Sequence, residues 1–257
     1  MKIDRQCVVS EPKSTASEYF SEQCALFSEL ADRATLISYK IGRRMANQRA
    51  VMASWIFMRT CITAKSIELL FKPIPSGYGN ASYLDHASIA ALCRCLIESV
   101  TVLLYLGDDT VSEDEWECRR CLIDLHDFRS REEFLSLIGA PAPKENPADT
   151  HKMLQDRLEN NPFFKTLHSK RRKRLLSADD MFIEGRQAAI NKIGWIEDHA
   201  RGVYKYLSMH SHTMPMSFHR TEAHSVYAQG SDSPKIVAGF ATEHARHALG
   251  AACVREC

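Results

Sequence analysis

Arg94 and Glu98 are the only formally charged residues in the apolar segment HASIAALCRCLIESVTVLLYL. Because they lie four residues apart, they share one face of a helix and can pair with each other. Either one left alone in a core would cost several kcal/mol, so we expect both to meet partners from other helices. Two interpretations stay open. The pair is a structural ion pair, or it is a polar site in which a carboxylate with a perturbed pKa and a fixed guanidinium face a cavity.

The segment YKYLSMHSHTMP gathers the second group of candidate side chains, namely Lys205, Ser208, His210 and His212. A spacing of two places the two histidines on different helix faces, so they share a metal only if the helix has already ended. A serine–histidine hydrolase is a weaker hypothesis, since Ser208 lacks the glycine-flanked turn that exposes a nucleophile. Scattered surface histidines are the plainer interpretation.

A metal-dependent enzyme is a further, weaker alternative. It would use Glu98 together with late histidines, although no spacing among them is diagnostic of a metal site. These histidines are His199, His219 and His224.

The run KRRKR is the densest positive patch in the chain. It can hold phosphates through charge, and such binding would weaken strongly as salt rises. A solvated helix face is the alternative, and the run has no interleaved aromatic residues on which bases could stack. It consists of Lys170, Arg171, Arg172, Lys173 and Arg174.

Composition limits the class of protein. The chain has 257 residues, of which 45% are hydrophobic, and 33 Lys and Arg residues nearly balance 32 Asp and Glu residues. This favours one globular domain over residues 1–257 and excludes a global field that would hold the whole protein on nucleic acid or a membrane. The start, MKIDRQCVVSEPK, lacks a signal-peptide core, and the nine cysteines form no disulfide framework. We therefore expect a cytoplasmic protein with reduced, packed thiols and no cofactor.

Helical periodicity predicts an all-α, single-domain bundle around one central helix at about residues 85–106. Asp85 and Gly107 are its predicted caps, and a helix that is apolar all round is a buried one. A membrane span is disfavoured because it would place two charges near the middle of the bilayer at about 2.5 to 3.5 kcal/mol each.

Capping signals and breakers place the other helices. Thr15 and Ser112 each precede a glutamate by three residues, which predicts two capping boxes. A second helix is predicted at about 43–71 and a last one at about 237–254. About residues 1–14 are predicted to be flexible, and about 216–234 to form a long polar loop in which SVYAQ is the only strand-like stretch. The predicted apolar anchors of the second helix are Met52, Trp55, Ile56, Ile62 and Leu69.

Two segments resemble a bacterial helical family of unknown function. RCLIESVTVLLYL is similar to that family's arginine, leucine and glutamate on an apolar helix that ends in tyrosine and leucine, and YKYLSMHSHTMP is similar to a late tyrosine, leucine, serine and histidine signature. Together these segments cover 25 residues.

A more distant resemblance is to the HEPN superfamily of helical bundles, which includes metal-independent ribonucleases of toxin and phage-defence systems. There an arginine precedes a histidine by four to six residues. Lys205 precedes His212 with six residues between, but it is a lysine, whereas Arg120 and His126 fit the spacing literally. A lysine neutralises phosphate only as a point charge.

The HEPN resemblance implies phosphodiester cleavage in which a histidine takes the proton of a ribose hydroxyl and a cation stabilises the phosphorane. His212 would be the base, Lys205 or Arg94 the cation, and Glu98 would orient either. It also implies a homodimer that acts on RNA. The alternative is a noncatalytic scaffold in which Arg94 and Glu98 specify packing and the histidine-rich loop contacts a partner protein.

Overall fold

The computed structural model describes residues 15–42, 47–75, 77, 82–140, 147–212, 214–218 and 232–256. Over these residues the chain is almost entirely helical, so the predicted all-α class is confirmed. The helices are α1 (Ala16–Ile41), α2 (Gln48–Leu69), α3 (His86–Leu106), α4 (Glu113–Leu137), α5 (Pro147–Asn160), α6 (Pro162–Thr166), α7 (Ser169–Leu176), α8 (Arg186–Asn191), α9 (Glu197–Ser211), α10 (Pro215–Phe218) and α11 (Asp232–Glu256). Two short antiparallel strands, β1 (Ile74–Pro75) and β2 (Ser82–Tyr83), lie between α2 and α3.

Helix α3 is the central helix that the sequence predicts. Both predicted caps are present, because the Asp85 carboxylate accepts from the Ser88 amide at 3.0 Å and the Gly107 amide donates to the Leu103 carbonyl at 2.7 Å. Helix α3 packs against α11, α2 and α9. By length and composition it is the one helix in the described part of the chain that could span a membrane, and 56% of its most apolar window is buried inside the protein.

Two large hydrophobic cores and a small third one hold the helices together. The larger joins α1, α2, α3, α8, α9 and α11, and the other large core joins α4 to α5, α6 and α7. The small core lies at the carboxyl end of α3, where the buried Tyr105 packs edge-on to Phe182 at 5.1 Å between ring centroids.

The buried face of α2 differs from the prediction. Ala53, Phe57 and Ala64 face the core, whereas Trp55, Ile62 and the predicted anchor Leu69 are exposed. The other two predicted anchors, Met52 and Ile56, are half-buried and pack against core residues. Helix α2 begins at Gln48 with an Asn47 cap, and residues 43–46 lie outside the described ranges.

The capping signals are confirmed to different degrees. At α1 both halves of the Thr15–Glu18 box are present. At α4 the Ser112 hydroxyl accepts from the Glu115 amide at 3.2 Å, but the Glu115 carboxylate pairs with Arg119. The second predicted box is therefore only half formed.

The end of the chain is more helical than predicted. Helix α11 begins at Asp232 rather than near residue 237, and residues 215–218 form the short helix α10. The rest of the predicted polar loop, including SVYAQ, lies outside the described residues, as does the predicted flexible start at 1–14.

Candidate active site

Arg94 is the centre of a polar cluster that α3 and α9 form between them. Its Nη2 donates to Glu98 Oε1 at 3.2 Å and to the Tyr204 hydroxyl at 2.8 Å, and its Nη1 lies 3.3 Å from His212 Nε2. The Arg94 side chain is 19% exposed, so the cluster is reached by solvent and is not sealed in the core. The pair thus meets partners from another helix, as the sequence predicts.

Tyr204 connects the charged members of this cluster. Its hydroxyl donates to Glu98 Oε1 at 2.6 Å and accepts from Arg94 and from Arg186 Nη1, the latter at 2.9 Å. A phenol has one proton and two lone pairs, so every hydrogen-bonding position is used. The Arg94 guanidinium also lies 4.8 Å from the centroid of the Tyr204 ring. These contacts fix the orientation of Arg94.

Arg94 keeps its charge in this environment. Partial burial by itself would lower the pKa of Arg94, but the hydrogen bond with Tyr204 and the negative charge of Glu98 outweigh burial and raise the pKa above its usual value. The site therefore contains a permanent, oriented cation.

His212 lies at the end of α9, where it is the C-cap residue and its side chain is exposed. A guanidinium nitrogen can only donate, so in a hydrogen bond with Arg94 the Nε2 of His212 is the unprotonated acceptor. An imidazole in this tautomer has a lone pair next to a cation, which is an arrangement suited to accepting a proton close to a bound anion.

A cavity of about 430 Å³ adjoins the cluster. Glu98, Tyr204, Arg186 and Arg59 contribute polar groups to it. The rest of its wall includes Ile56, Val102, Met181, Phe182 and Ile190. Arg186 is the first residue of α8 and follows Gly185, whose φ of +92° is a conformation that other residues rarely adopt.

Three predicted site residues on α9 do not join the cluster. Ser208 donates its hydroxyl to the Tyr204 carbonyl at 2.7 Å, so it bonds to its own helix. Lys205 is exposed and forms no side-chain hydrogen bond or ion pair with another described residue. His210 is 5% exposed and points into the core, where its ring lies 4.8 Å from that of Tyr206. The cation next to His212 is Arg94 and not Lys205.

The alternative pair, Arg120 and His126, is not brought together by a described contact. Arg120 binds Glu117 and Asp124 on its own helix at 2.9 and 2.8 Å. His126 lines a separate polar cavity, which also includes Arg174 and Arg186.

The basic run on α7 is divided between two roles. Arg171 binds inward, to Asp180 at 3.0 Å and to the Ile183 carbonyl at 2.5 Å. Arg172 is half-buried, and the remaining members are exposed. The exposed members are Lys170, Lys173 and Arg174. The free charge of the run is therefore smaller than its sequence indicates.

No group of three or more His, Cys, Asp or Glu residues that could hold a metal is found among the described residues. His199 does meet a histidine of α11, since its Nε2 lies 3.1 Å from that of His244. His219 and His224 lie outside the residues that the structure describes.

The cysteines behave as packed thiols. Cys93, Cys118 and Cys121 are buried, and burial raises the pKa of Cys118 to about 12 and that of Cys121 to about 11. Cys95 is exposed and lines the 430 Å³ cavity.

Sequence reasoning missed Tyr204, Arg186 and Arg59 as site residues. Tyr204 is the first tyrosine of YKYLSMHSHTMP, and it lies eight residues before His212, so a search for polar residues on the His212 face of the helix would have found it. The other two residues have no local signal, because only the packing of α2 and α8 against α3 brings them to the cavity.

No curated protein and no solved structure matches the chain. Residues 50–225 match a family that is described only as Family of unknown function (DUF5677). This span covers more than half of the chain and contains Arg94, Glu98, Arg186, Tyr204 and His212. The protein therefore belongs to this helical family of unknown function.

Proposed function

We propose that the protein cleaves RNA without a metal ion, in the manner of the HEPN ribonucleases that it distantly resembles, and that His212 and Arg94 carry the reaction. The observation behind this proposal is the 3.3 Å contact between Arg94 Nη1 and His212 Nε2 at a solvent-reached cluster beside a cavity. A histidine lone pair and a fixed guanidinium are the two groups that such a cleavage needs.

The reaction follows from the geometry of the two side chains. A phosphate that binds Arg94 competes for the guanidinium and frees the lone pair of His212 Nε2. This nitrogen takes the proton of the ribose 2′-hydroxyl, and the 2′-oxygen attacks phosphorus. The bond to the 5′-oxygen breaks, and this oxygen takes a proton from water. The products are a 2′,3′-cyclic phosphate and a 5′-hydroxyl end.

Glu98 and Tyr204 act on the reaction through Arg94. Each accepts a hydrogen bond from Arg94 Nη2 that holds the guanidinium in place, Glu98 at 3.2 Å and Tyr204 at 2.8 Å. A donor that is already oriented needs no reorganisation when charge develops on the phosphorane. Neither side chain needs to touch the reacting phosphate.

The local charge favours a polyanion, although the whole chain is nearly neutral. Arg59 and Arg186 line the cavity, and Arg94 binds the lining residues Glu98 and Tyr204. Among the described residues, Glu98 is the one carboxylate on the cavity wall. Such a concentration of cations binds phosphates by a salt-dependent electrostatic attraction. RNA binding would therefore be centred here rather than on α7.

The first test is cleavage of total transfer RNA and of a structured messenger RNA by purified protein in the presence of a chelator. We expect discrete products with 2′,3′-cyclic phosphate ends, and we expect His212→Ala to lose at least about 100-fold in rate, because general-base catalysis contributes roughly 10²–10⁴-fold. His247→Ala is the matched control, since it removes an exposed histidine of α11 far along the chain from the cluster.

His126→Ala separates the two candidate pairs. If His126→Ala is inactive and His212→Ala is active, the base belongs to the Arg120 pair and the proposal for His212 is wrong. Cleavage that requires a divalent ion would instead support the metal-dependent alternative. If the folded wild-type protein cleaves neither RNA, the ribonuclease proposal fails.

A second candidate function, binding to another protein chain, is supported by an exposed apolar face on α1 and α2. Trp55, Met58, Ile62 and Leu69 recur along one side of α2 with exposed fractions of 50% to 75%, and Tyr39 of α1 is 60% exposed. Large exposed apolar patches mark interaction surfaces. We propose that this face joins two copies of the chain.

Size-exclusion chromatography with light scattering, which measures the molar mass of the eluting protein, tests this second proposal. We expect a dimer for the wild type and a monomer for Ile62→Asp, because a buried, unpaired carboxylate at the interface would be strongly unfavourable. Thr63→Asp is the control, since it adds the same charge at a neighbouring position of α2. A wild-type monomer at micromolar concentration would contradict the dimer and leave the scaffold alternative with a different partner.

A further inference from the structure

We infer that the cavity beside Arg94 is the subsite for one nucleoside of the RNA strand, with the phosphate attached to this nucleoside held by Arg59 and Arg186. This inference rests on the proposed function and goes beyond it, because it assigns the substrate contacts next to the cleaved bond. The assignment depends on the charge, the walls and the size of the cavity.

The two arginines carry charge that the protein does not neutralise. Arg186 donates to the Tyr204 hydroxyl at 2.9 Å and forms no ion pair with a described carboxylate. Arg59 is exposed, and its guanidinium has no acceptor among the described residues. Glu98, the carboxylate on the cavity wall, is shared by Arg94 and Tyr204. The cavity mouth therefore has two cations free to bind an anion.

The walls of the same cavity are apolar. Ile56, Val102 and Met181 line it together with the buried side chains of Phe182 and Ile190. Contact with these residues would add little to the binding free energy of a phosphate, whereas a nucleobase would bury its apolar faces against them. The combination of an apolar wall with a cationic mouth fits a nucleoside that carries a phosphate.

The size of the cavity fits one such unit. Its volume of about 430 Å³ lies near the lower end of the range for small-molecule sites, roughly 300–1,000 Å³. It is therefore a site for one residue of the strand and not for a folded RNA element.

The neighbouring polar cavity is a poorer phosphate site. It shares Arg186 with the first cavity and adds Arg171 and Arg174, but Asp179 and Asp180 line it as well. Because these carboxylates offset the charge of the arginines, a polyanion would bind more weakly in this cavity than in the first one. The charge balance thus points to the first cavity as the main subsite.

Cys95 provides a reporter inside the proposed subsite. It lines the cavity and is exposed, whereas Cys24 is half-buried and the remaining described cysteines are buried. A ligand in the cavity would shield this thiol from a reagent. The rate at which N-ethylmaleimide modifies Cys95 therefore measures occupancy, and mass spectrometry of the Cys95 peptide separates it from every other thiol.

The experiment compares adenosine 5′-monophosphate, adenosine and inorganic phosphate as protecting ligands of the full-length wild-type protein. We expect the mononucleotide to slow modification roughly tenfold at about ten times its Kd, since only free protein reacts. Adenosine and phosphate should each protect only at much higher concentration. The double variant Arg59→Ala/Arg186→Ala should lose protection by the mononucleotide, and Arg33→Ala/Arg131→Ala should keep it.

The outcomes separate the subsite from the reaction. Equal protection by inorganic phosphate would overturn the nucleoside assignment, and no protection by the mononucleotide, or protection that survives in Arg59→Ala/Arg186→Ala, would overturn the subsite. RNA cleavage without protection would contradict this inference alone. Protection without any cleavage would support the subsite and contradict the proposed ribonuclease reaction.

Discussion

The hydroxyl of Tyr204 is the contact on which the geometry of the site depends most. It touches Glu98, Arg94 and Arg186 at 2.6, 2.8 and 2.9 Å. Without this hydroxyl, Arg94 would keep two hydrogen-bond partners, namely Glu98 on its own helix and the exposed His212. The phenol ring would still fill the same space, so the loss would be one of orientation and not of packing.

Tyr204→Phe tests this role. We expect a loss of about 10- to 100-fold in kcat/KM for RNA cleavage, because hydrogen bonds to charged groups contribute about 1.5–3 kcal/mol. The free energy of unfolding should change much less. Tyr206→Phe, on the same helix with a half-buried ring, is the matched control and should retain activity. Equal rates for the two variants would show that Arg94 is held without Tyr204.

Sequence patterns predicted Arg94, Glu98 and their pairing, but not the contacts that join them to Tyr204 and Arg186. Arg94 and Glu98 can be identified from the sequence because an unpaired charge inside an apolar helix would destabilise the fold. Of the two candidate cations, Lys205 and Arg94, the structure places Arg94 beside His212, and the spacing of a motif could not decide between them because it does not show which helix packs next to it. Arg94, 118 residues earlier in the chain, supplies the cation. Long-range packing decides such a contact, and local periodicity cannot reveal it.

At the scale of elements, the joint between α3 and α4 contains a buried cation. Arg119 is 4% exposed, donates to the Tyr105 carbonyl at 2.7 Å and pairs with Glu115 and, at 3.6 Å, with Asp108. Nearby, the Trp116 indole donates to the Leu106 carbonyl at 2.9 Å. Both contacts satisfy carbonyl groups at the end of α3, which a helix leaves without partners of its own.

Arg119→Ala should therefore destabilise the protein by about 3 kcal/mol, at the lower end of the cost of breaking a buried ion pair, because Glu115 and Asp108 keep some access to water. Chemical denaturation measures this change. Arg131→Ala removes a cation from an exposed pair with Asp127 on the same helix and should cost about 0–1 kcal/mol. Equal midpoints for the two variants would mean that the joint does not depend on Arg119.

The positions of the helices were predicted better than which face of each helix is buried. Caps at Thr15, Asp85 and Ser112 are chemical signals that act within one turn, so they can be identified from the sequence alone. Helix α2 has apolar residues on both sides, and its pattern therefore does not show which side is buried. Packing against α3 selects the face of Ala53 and Phe57, which leaves Trp55 outside.

At the scale of the whole molecule, the site depends on helices that lie outside the family match. Helices α1 and α11 flank residues 50–225 in sequence, yet α11 packs along α3 and α1 packs along α11. The matched span provides the candidate site, and these two helices complete the core that holds α3 in position.

The larger core also buries two histidines whose protonation would oppose folding. Burial lowers the pKa of His244, and burial followed by the charge of His86 lowers the pKa of His210. The Nδ1–H of His244 donates to the Phe240 carbonyl at 2.8 Å, and both ring nitrogens of His210 lack a hydrogen-bond partner among the described residues. The folded state therefore favours neutral imidazoles at both positions.

The sign of the pH effect follows from these shifts. In the unfolded chain both imidazoles have the ordinary pKa of about 6.5, so below this value the unfolded chain binds more protons than the folded chain. The free energy of unfolding should be largest above pH 6.5 and should fall as the pH drops through 6.5 toward the lowered folded values. Each unit of pKa difference corresponds to about 1.4 kcal/mol.

Urea denaturation between pH 7.5 and about pH 5 measures this loss, at constant ionic strength. His244→Phe keeps a ring against Phe240 and Trp195 and removes the titrating group, so we expect a shallower dependence on pH even if the variant is less stable at pH 7.5. His168→Phe, at an exposed histidine, should keep the slope of the wild type. If His244→Phe and the wild type lost stability in parallel, the acid sensitivity would have to come from His210 or from carboxylates rather than from His244. A smaller slope of the free energy of unfolding against pH would instead show that the core accommodates His244 only in its neutral form.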